Sequence, residues 1–145
     1  MKITSELIET WKKSIIEIKV SDRWVTIWNG ANFYVNNLPP DLNEKLMYVI
    51  TAYNPGSEQR SEQENLDADR QLRARLEGIP FANWVESVGR SLSGSHTEYG
   101  CAVYGIDKEV ADNLSEEFGQ IGYYCFSNSG MSIYVKNKED GFIPI

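Results

Sequence analysis

Three features of the sequence predict an α+β domain: helix-like and strand-like patterns alternate past residue 46, capping residues stand at the helix boundaries, and Pro39-Pro40 sets the preceding region apart. With 145 residues the chain has room for one domain, which at this size buries roughly 70% of the surface that its unfolded form exposes. A hydrophobic share of 41% is that of a globular protein, which excludes extensive disorder.

In the first segment, Leu7, Trp11, Ile15 and Ile18 form an apolar stripe that predicts a helix over residues 4–18. Trp24–Trp28 and 31–35 are β-rich runs joined by Asn29-Gly30, a pair that tolerates the positive φ of a tight hairpin turn. Residues 1–40 thus read as a helix plus β-hairpin arm, too small to be stable alone, beside an α+β core over 47–136 in a single domain, 1–145.

Within the core, Met47–Tyr53 reads as a strand ended by Asn54-Pro55-Gly56. Ser61 and Glu64 have the spacing of a capping box, so a helix runs from there to about Glu77, where Gly78 and Pro80 stop it. Phe81–Val88 and Tyr99–Ile106 read as strands around a Gly/Ser-rich loop. Asp107 is placed to cap a second helix, lined by Val110, Ala111, Leu114 and Phe118 and ended by Gly119. Gln120–Phe126 and Met131–Lys136 complete the pattern. The order is β-α-β-β-α-β with an extra C-terminal strand, which predicts a ferredoxin-like split sheet of spatial order 4-1-3-2. That order places Cys101 and Cys125 on strands separated by a third, too far apart for a disulfide.

Thr51-Ala52-Tyr53-Asn54-Pro55 with Ser57, Glu64-Asn65, Glu98-Tyr99-Gly100 and Phe118-Gly119-Gln120 together resemble a bacterial family of unknown function, DUF3293, over residues about 47–135. The resemblance implies a neighbourhood rather than an activity, because the family brings no assigned chemistry and no residue roles.

The predicted topology brings the loop after the first core strand, the loop between the second and third, and the start of the fourth to one sheet edge. Asn54, Ser57, Arg60, Arg90, Ser93, His96, Glu98 and Gln120 are expected there. Two arginines and a helix N-terminus suit an anion, while His96 with Glu98 suits proton transfer. Each residue also has a structural reading: turn chemistry for Asn54, capping for Ser61 and Glu64, an exposed loop position for His96, backbone satisfaction for Gln120. Trp11, Trp24, Trp28 and Trp84 read as core anchors before they read as a stacking platform.

A second candidate surface is acidic. Asp107, Glu109, Asp112, Glu116 and Glu117 face only Lys108 in one short helix, within a chain of net charge −7. The overall charge disfavours nucleic acid, and such a helix suits a basic protein partner of the kind bound by inhibitor or immunity proteins; a solvated helix face is its plain reading. No nucleophile elbow, phosphate loop or dinucleotide fingerprint appears, and two cysteines with one histidine do not suggest a metal site or a cofactor. A non-enzymatic binding protein is therefore expected, with a phosphorylated or carboxylated metabolite at the sheet edge, bound or chemically handled, as the alternative. The longest apolar run is shorter than a membrane span and the N-terminus does not read as an export signal, so a cytoplasmic location is expected.

Overall fold

A computed structural model of the chain describes residues 5–30, 32–39, 46–55, 58–135 and 142–144. The elements are α1 (Ser5–Lys12), β1 (Ile15–Val20), β2 (Arg23–Trp28), a 3-10 turn (Val35–Asn37), β3 (Met47–Thr51), α2 (Glu62–Glu77), β4 (Asn83–Arg90), β5 (Thr97–Tyr104), α3 (Lys108–Glu117), β6 (Gly122–Ser127), β7 (Gly130–Val135) and β8 (Phe142–Pro144).

The N-terminal region departs from expectation. The helix stops at Lys12, and Ile15 and Ile18 belong to strand β1. The run Ile15-Ile16-Glu17-Ile18 is rich in β-branched residues, which pack well on a pleated surface. Ile16 and Ile18 are both buried with Glu17 between them, a period of two. The hairpin turn is not Asn29-Gly30 but Ser21-Asp22, whose φ values of 51° and 63° supply the left-handed pair that a tight hairpin needs. Gly30 instead packs against the Lys13 backbone, where an added Cβ would lie 3.0 Å from its Cα. The strand expected over 31–35 reduces to one bridge between Trp28 and Phe33, and Ala31 lies outside the described residues.

The core elements follow the sequence pattern more closely. Ser61 accepts from the Glu64 N–H at 3.1 Å while the Glu64 carboxylate accepts from the Ser61 N–H at 3.2 Å, so the capping box of α2 is complete. Asp107 caps α3 by accepting from the Val110 N–H at 2.9 Å. Strands β4 and β5 start and end two residues off the expected positions and β3 ends two residues early, at Thr51.

The eight strands among the described residues form one antiparallel sheet in the order β2-β1-β4-β5-β3-β6-β7-β8. This is a mixed α/β architecture, but the order of the whole sheet is not that of a four-stranded ferredoxin-like sheet, because further strands flank the inner β4-β5-β3-β6 on both sides. The N-terminal hairpin joins β4, and β7 and β8 extend the sheet beyond β6. Residues 15–28 are therefore sheet strands rather than an arm, because β4 offers an edge whose backbone groups need partners. Cys101 on β5 and Cys125 on β6 flank β3, and both are buried free thiols.

Side-chain alternation divides the core in two. Tyr48, Ile50, Cys101, Val103, Tyr123 and Cys125 pack under Leu72 and Leu76 of α2 and Ala111 and Leu114 of α3. Met47, Val49, Ala102 and Phe126 face the opposite side, with Ile16, Ile18, Ile27 and Ile8 of α1. Each fully buried large apolar side chain contributes about 1.5–3 kcal/mol relative to exposure. The sheet curls around this second side. Trp11 of α1 reaches Tyr124 of β6, with ring centroids 5.8 Å apart, although β4, β5 and β3 lie between β1 and β6 in the sheet. The Tyr124 hydroxyl donates to the Trp11 carbonyl at 2.9 Å.

Candidate functional site

The cavity begins with small side chains. On β4 the positions facing the curled side are Ser87 and Gly89, next to Val85, and Gly89 pairs with Glu98 of β5. An added Cβ at Gly89 would meet the Ile16 side chain at 3.6 Å, which places it on the concave side. Where larger residues would fill the layer, a cavity of about 340 Å³ remains beneath α1. Trp11, Ile16, Val49, Ile121 and Tyr124 supply apolar and aromatic wall, while Asn54, His96, Glu98 and Gln120 line its polar part. This volume lies in the range of small-molecule sites.

The loop after β3 is held in a fixed shape. Thr51 Oγ1 donates to the Tyr99 carbonyl at 2.7 Å and accepts from the Tyr53 N–H at 3.0 Å. Asn54 then adopts φ 46°, a left-handed conformation that asparagine tolerates better than most residues. Its N–H donates to Asn65 Oδ1 at 2.8 Å, and its Oδ1 accepts from Asn65 Nδ2 and from the Arg60 N–H, each at 2.9 Å. Its side-chain amide lies beside the Glu98 carboxylate and favours the charged form. Asn65, buried in the first turn of α2, is thus the anchor of Asn54. Gln120 Nε2 donates to the carbonyls of Tyr53 at 3.0 Å and Phe118 at 3.2 Å, tying the loop after α3 to the loop after β3. Gly119, at φ 68°, allows Pro55 to pack where a Cβ would stand 2.9 Å from the proline ring.

Glu98 sits where these tethers meet. Its side chain is 28% exposed and its Oε2 lies 3.3 Å from His96 Nε2, on the exposed side of the pair. Burial raises the Glu98 carboxyl above its ordinary range, and the opposing pull of His96 and the Asn54 amide does not cancel that effect. His96 is placed by the β4–β5 turn, where the Ser91 N–H donates to the His96 carbonyl at 3.0 Å and Ser91 Oγ accepts from the His96 N–H at 3.1 Å.

The remaining expected site residues divide as follows. Arg90 lies at the cavity rim, but its guanidinium binds Glu17 at 2.6 Å. Glu17 alternates with Ile16 and Ile18, so this pair belongs to the other face of the sheet. The Arg60 guanidinium pairs with Glu64 at 3.6 Å, at the exposed start of α2. The N-terminus of α2 is closed by its own capping box. The anion-binding features expected at this edge are therefore engaged with the protein itself. Ser93 lies in the exposed turn, hydrogen-bonded to Ser91 and Ser95, and Ser57 lies outside the described residues.

Sequence reasoning missed Trp11, Ser14, Ser87 and Tyr124, which also line the cavity. The small pair Ser87 and Gly89 at alternate positions of one strand was a usable signal of a gap in the packing. The approach of α1 had no local signal.

On α3, Asp107 is the cap. Asp112 accepts from Lys108 and from the Tyr123 hydroxyl, both at 2.8 Å, and Glu117 pairs with Arg75 at 3.2 Å. Glu109 and Glu116 are exposed. Among the described residues no group of three or more His, Cys, Asp or Glu side chains is placed to hold a metal ion, and no helix is long and apolar enough to cross a membrane.

The fold and cavity define an α/β domain whose curled antiparallel sheet carries two helices on one side and encloses a partly polar cavity on the other. Residues 50–121 match the model of the family described as Protein of unknown function (DUF3293). The matched segment holds Asn54, Asn65, Glu98, Gly119 and Gln120, whereas α1, β1 and Tyr124 lie outside it. No curated protein and no solved structure matches the chain.

Proposed function

We propose that this domain binds a small molecule in the cavity beneath α1. The observation that carries the reading is Glu98, a carboxyl held by Asn54 and His96 at a cavity whose other walls are largely apolar and aromatic. A pocket of this size with a few convergent polar groups and one perturbed carboxyl is what ligand sites have in common. The inner strands β4-β5-β3-β6, with α2 and α3 on one face, support reading the segment as a split β-α-β-β-α-β unit enlarged at both edges. Docking of a basic protein on α3 is the weaker reading, because three of its five acids already have partners within the chain.

The test is a thermal-shift screen of the full chain against small amines, alcohols, carboxylates and phosphates, with Gly89→Leu as the variant that fills the cavity. A ligand at 100 times its Kd adds about 2.7 kcal/mol of apparent stability. Stabilisation by one chemical class, lost in a folded Gly89→Leu protein, is the expected result. Silence from every class, or hits that Gly89→Leu retains, would overturn the reading.

A further inference from the structure

We infer that the ligand of this cavity presents a hydrogen-bond-donating cation, an organic ammonium on a compact apolar or aromatic body, to Glu98. The inference rests on the cavity being a ligand site and concerns what that site selects.

It follows from which hydrogen-bonding groups at the wall are already engaged. Gln120 directs its Nε2 to two backbone carbonyls, which fixes the amide orientation and leaves Oε1 as the acceptor. The Tyr124 hydroxyl gives its proton to the Trp11 carbonyl, and Ser14 Oγ donates to the Thr10 carbonyl at 3.2 Å. Thr51 Oγ1 gives its proton to Tyr99, and the Asn54 amide lies beside Glu98. The oxygens of Gln120 and Ser14 retain lone pairs, and Glu98 adds a carboxylate. These groups around Glu98 have their donors engaged and keep acceptors, which is complementary to a ligand that donates; the Trp11 indole N–H and the Ser87 hydroxyl are further donors on the wall.

Charge points the same way. Arg90 and Arg60 are paired with Glu17 and Glu64, and His96 stands at 3.3 Å from Glu98 on its exposed side. A carboxylate or phosphate entering here would face Glu98 without a free guanidinium. An ammonium would meet the carboxylate, with Trp11 and Tyr124 offering ring surface to its body. The net charge of −7 raises the local concentration of cations around the whole molecule.

The experiment measures affinity by tryptophan fluorescence for matched probes: phenethylamine, its alcohol and carboxylate counterparts, and the same three head groups on an indole body. Parent, Glu98→Gln and Gly89→Leu proteins are compared, each checked for folding by circular dichroism. The amines are expected to bind at least tenfold more tightly than the alcohols, and the carboxylates more weakly still. Glu98→Gln should lower amine affinity about tenfold and leave alcohol affinity nearly unchanged. Amine binding should weaken on acidification as the carboxylate gains its proton. A preference for carboxylates, equal binding of all head groups, or an amine preference that survives Glu98→Gln would overturn this inference while leaving a ligand site in place, provided that Gly89→Leu abolishes binding. Binding of none of the probes, or binding that Gly89→Leu retains, would overturn both the inference and the ligand site.

Discussion

At Glu98 the competing influences on one carboxyl can be ordered. Removal from water favours the protonated form and is the largest effect; His96 and the Asn54 amide favour the charged form and are smaller. The folded protein therefore holds this proton to higher pH than the unfolded chain does. Below the ordinary carboxylate range both states are protonated and ionising Glu98 imposes no penalty. As pH rises, the unfolded chain ionises first, so stability falls until the folded carboxyl has ionised too. Glu98→Gln removes that loss. In urea unfolding at stepped pH, the variant should gain on the parent from the carboxylate range upward and the difference should then level off. A parent that instead gains on the variant would mean that His96 and Asn54 outweigh burial. Asn54 carries a different load, since its conformation and its side chain both matter. Asn54→Ala loses the contacts to Asn65, the Arg60 N–H and Glu98, and puts alanine at φ 46°. The expected cost is about 3–4 kcal/mol. Asn54→Gly keeps the conformation accessible and should recover about 1 kcal/mol of it, which chemical denaturation of the two variants will separate.

Strands and helices divide into those the sequence announces and those decided by neighbours. The two capped helices were legible because Ser61, Glu64 and Asp107 act within one turn of themselves. The end of α1 was not, since Leu7, Trp11, Ile15 and Ile18 satisfy a helical period while Ile16 and Ile18 satisfy a strand period. Pairing of β1 with β4 decides between them. The same limit applied to the hairpin, where Asn29-Gly30 had the stronger turn chemistry and Ser21-Asp22 had the flanking strands that could pair. For the site, convergence of the loops around Asn54, His96 and Gln120 could be read from element order. Pairing of Arg90 with Glu17 could not, because it joins two elements whose adjacency no local pattern encodes. One close approach between elements makes a sharp test. Gly100 of β5 lies against β3, where an added Cβ would fall inside contact distance of the Ile50 carbonyl oxygen. Backbone cannot step aside as a flexible side chain can, so Gly100→Ala should destabilise by about 3 kcal/mol. Thermal unfolding of the variant checks this, and a change near zero would mean that β3 and β5 lie further apart than described.

Across the molecule, the curl of the sheet joins the two halves of the chain. The matched segment 50–121 supplies the polar wall of the cavity, and α1 with β1 supplies the cover. A core over 47–136 with an arm before it therefore describes the sequence better than it describes the packing. Removing residues 1–30 would strip β4 of its partner along Ile15–Ile18, leaving an open edge in the middle of a former sheet. It would also uncover Met47, Val49, Ala102 and Phe126, which now lie under Ile8, Ile16, Ile18 and Ile27. At about 1.5–3 kcal/mol for each large apolar side chain returned to water, this loss is comparable with the 5–15 kcal/mol that typically separates folded from unfolded domains. The fragment 31–145 is thus expected to lack a cooperative unfolding transition, to bind a hydrophobic dye and to be cut rapidly by protease, while the full chain resists. A fragment that unfolds cooperatively at a temperature near that of the full chain would show that β4 and the concave face are stable without the hairpin, and the cavity would then be open rather than covered.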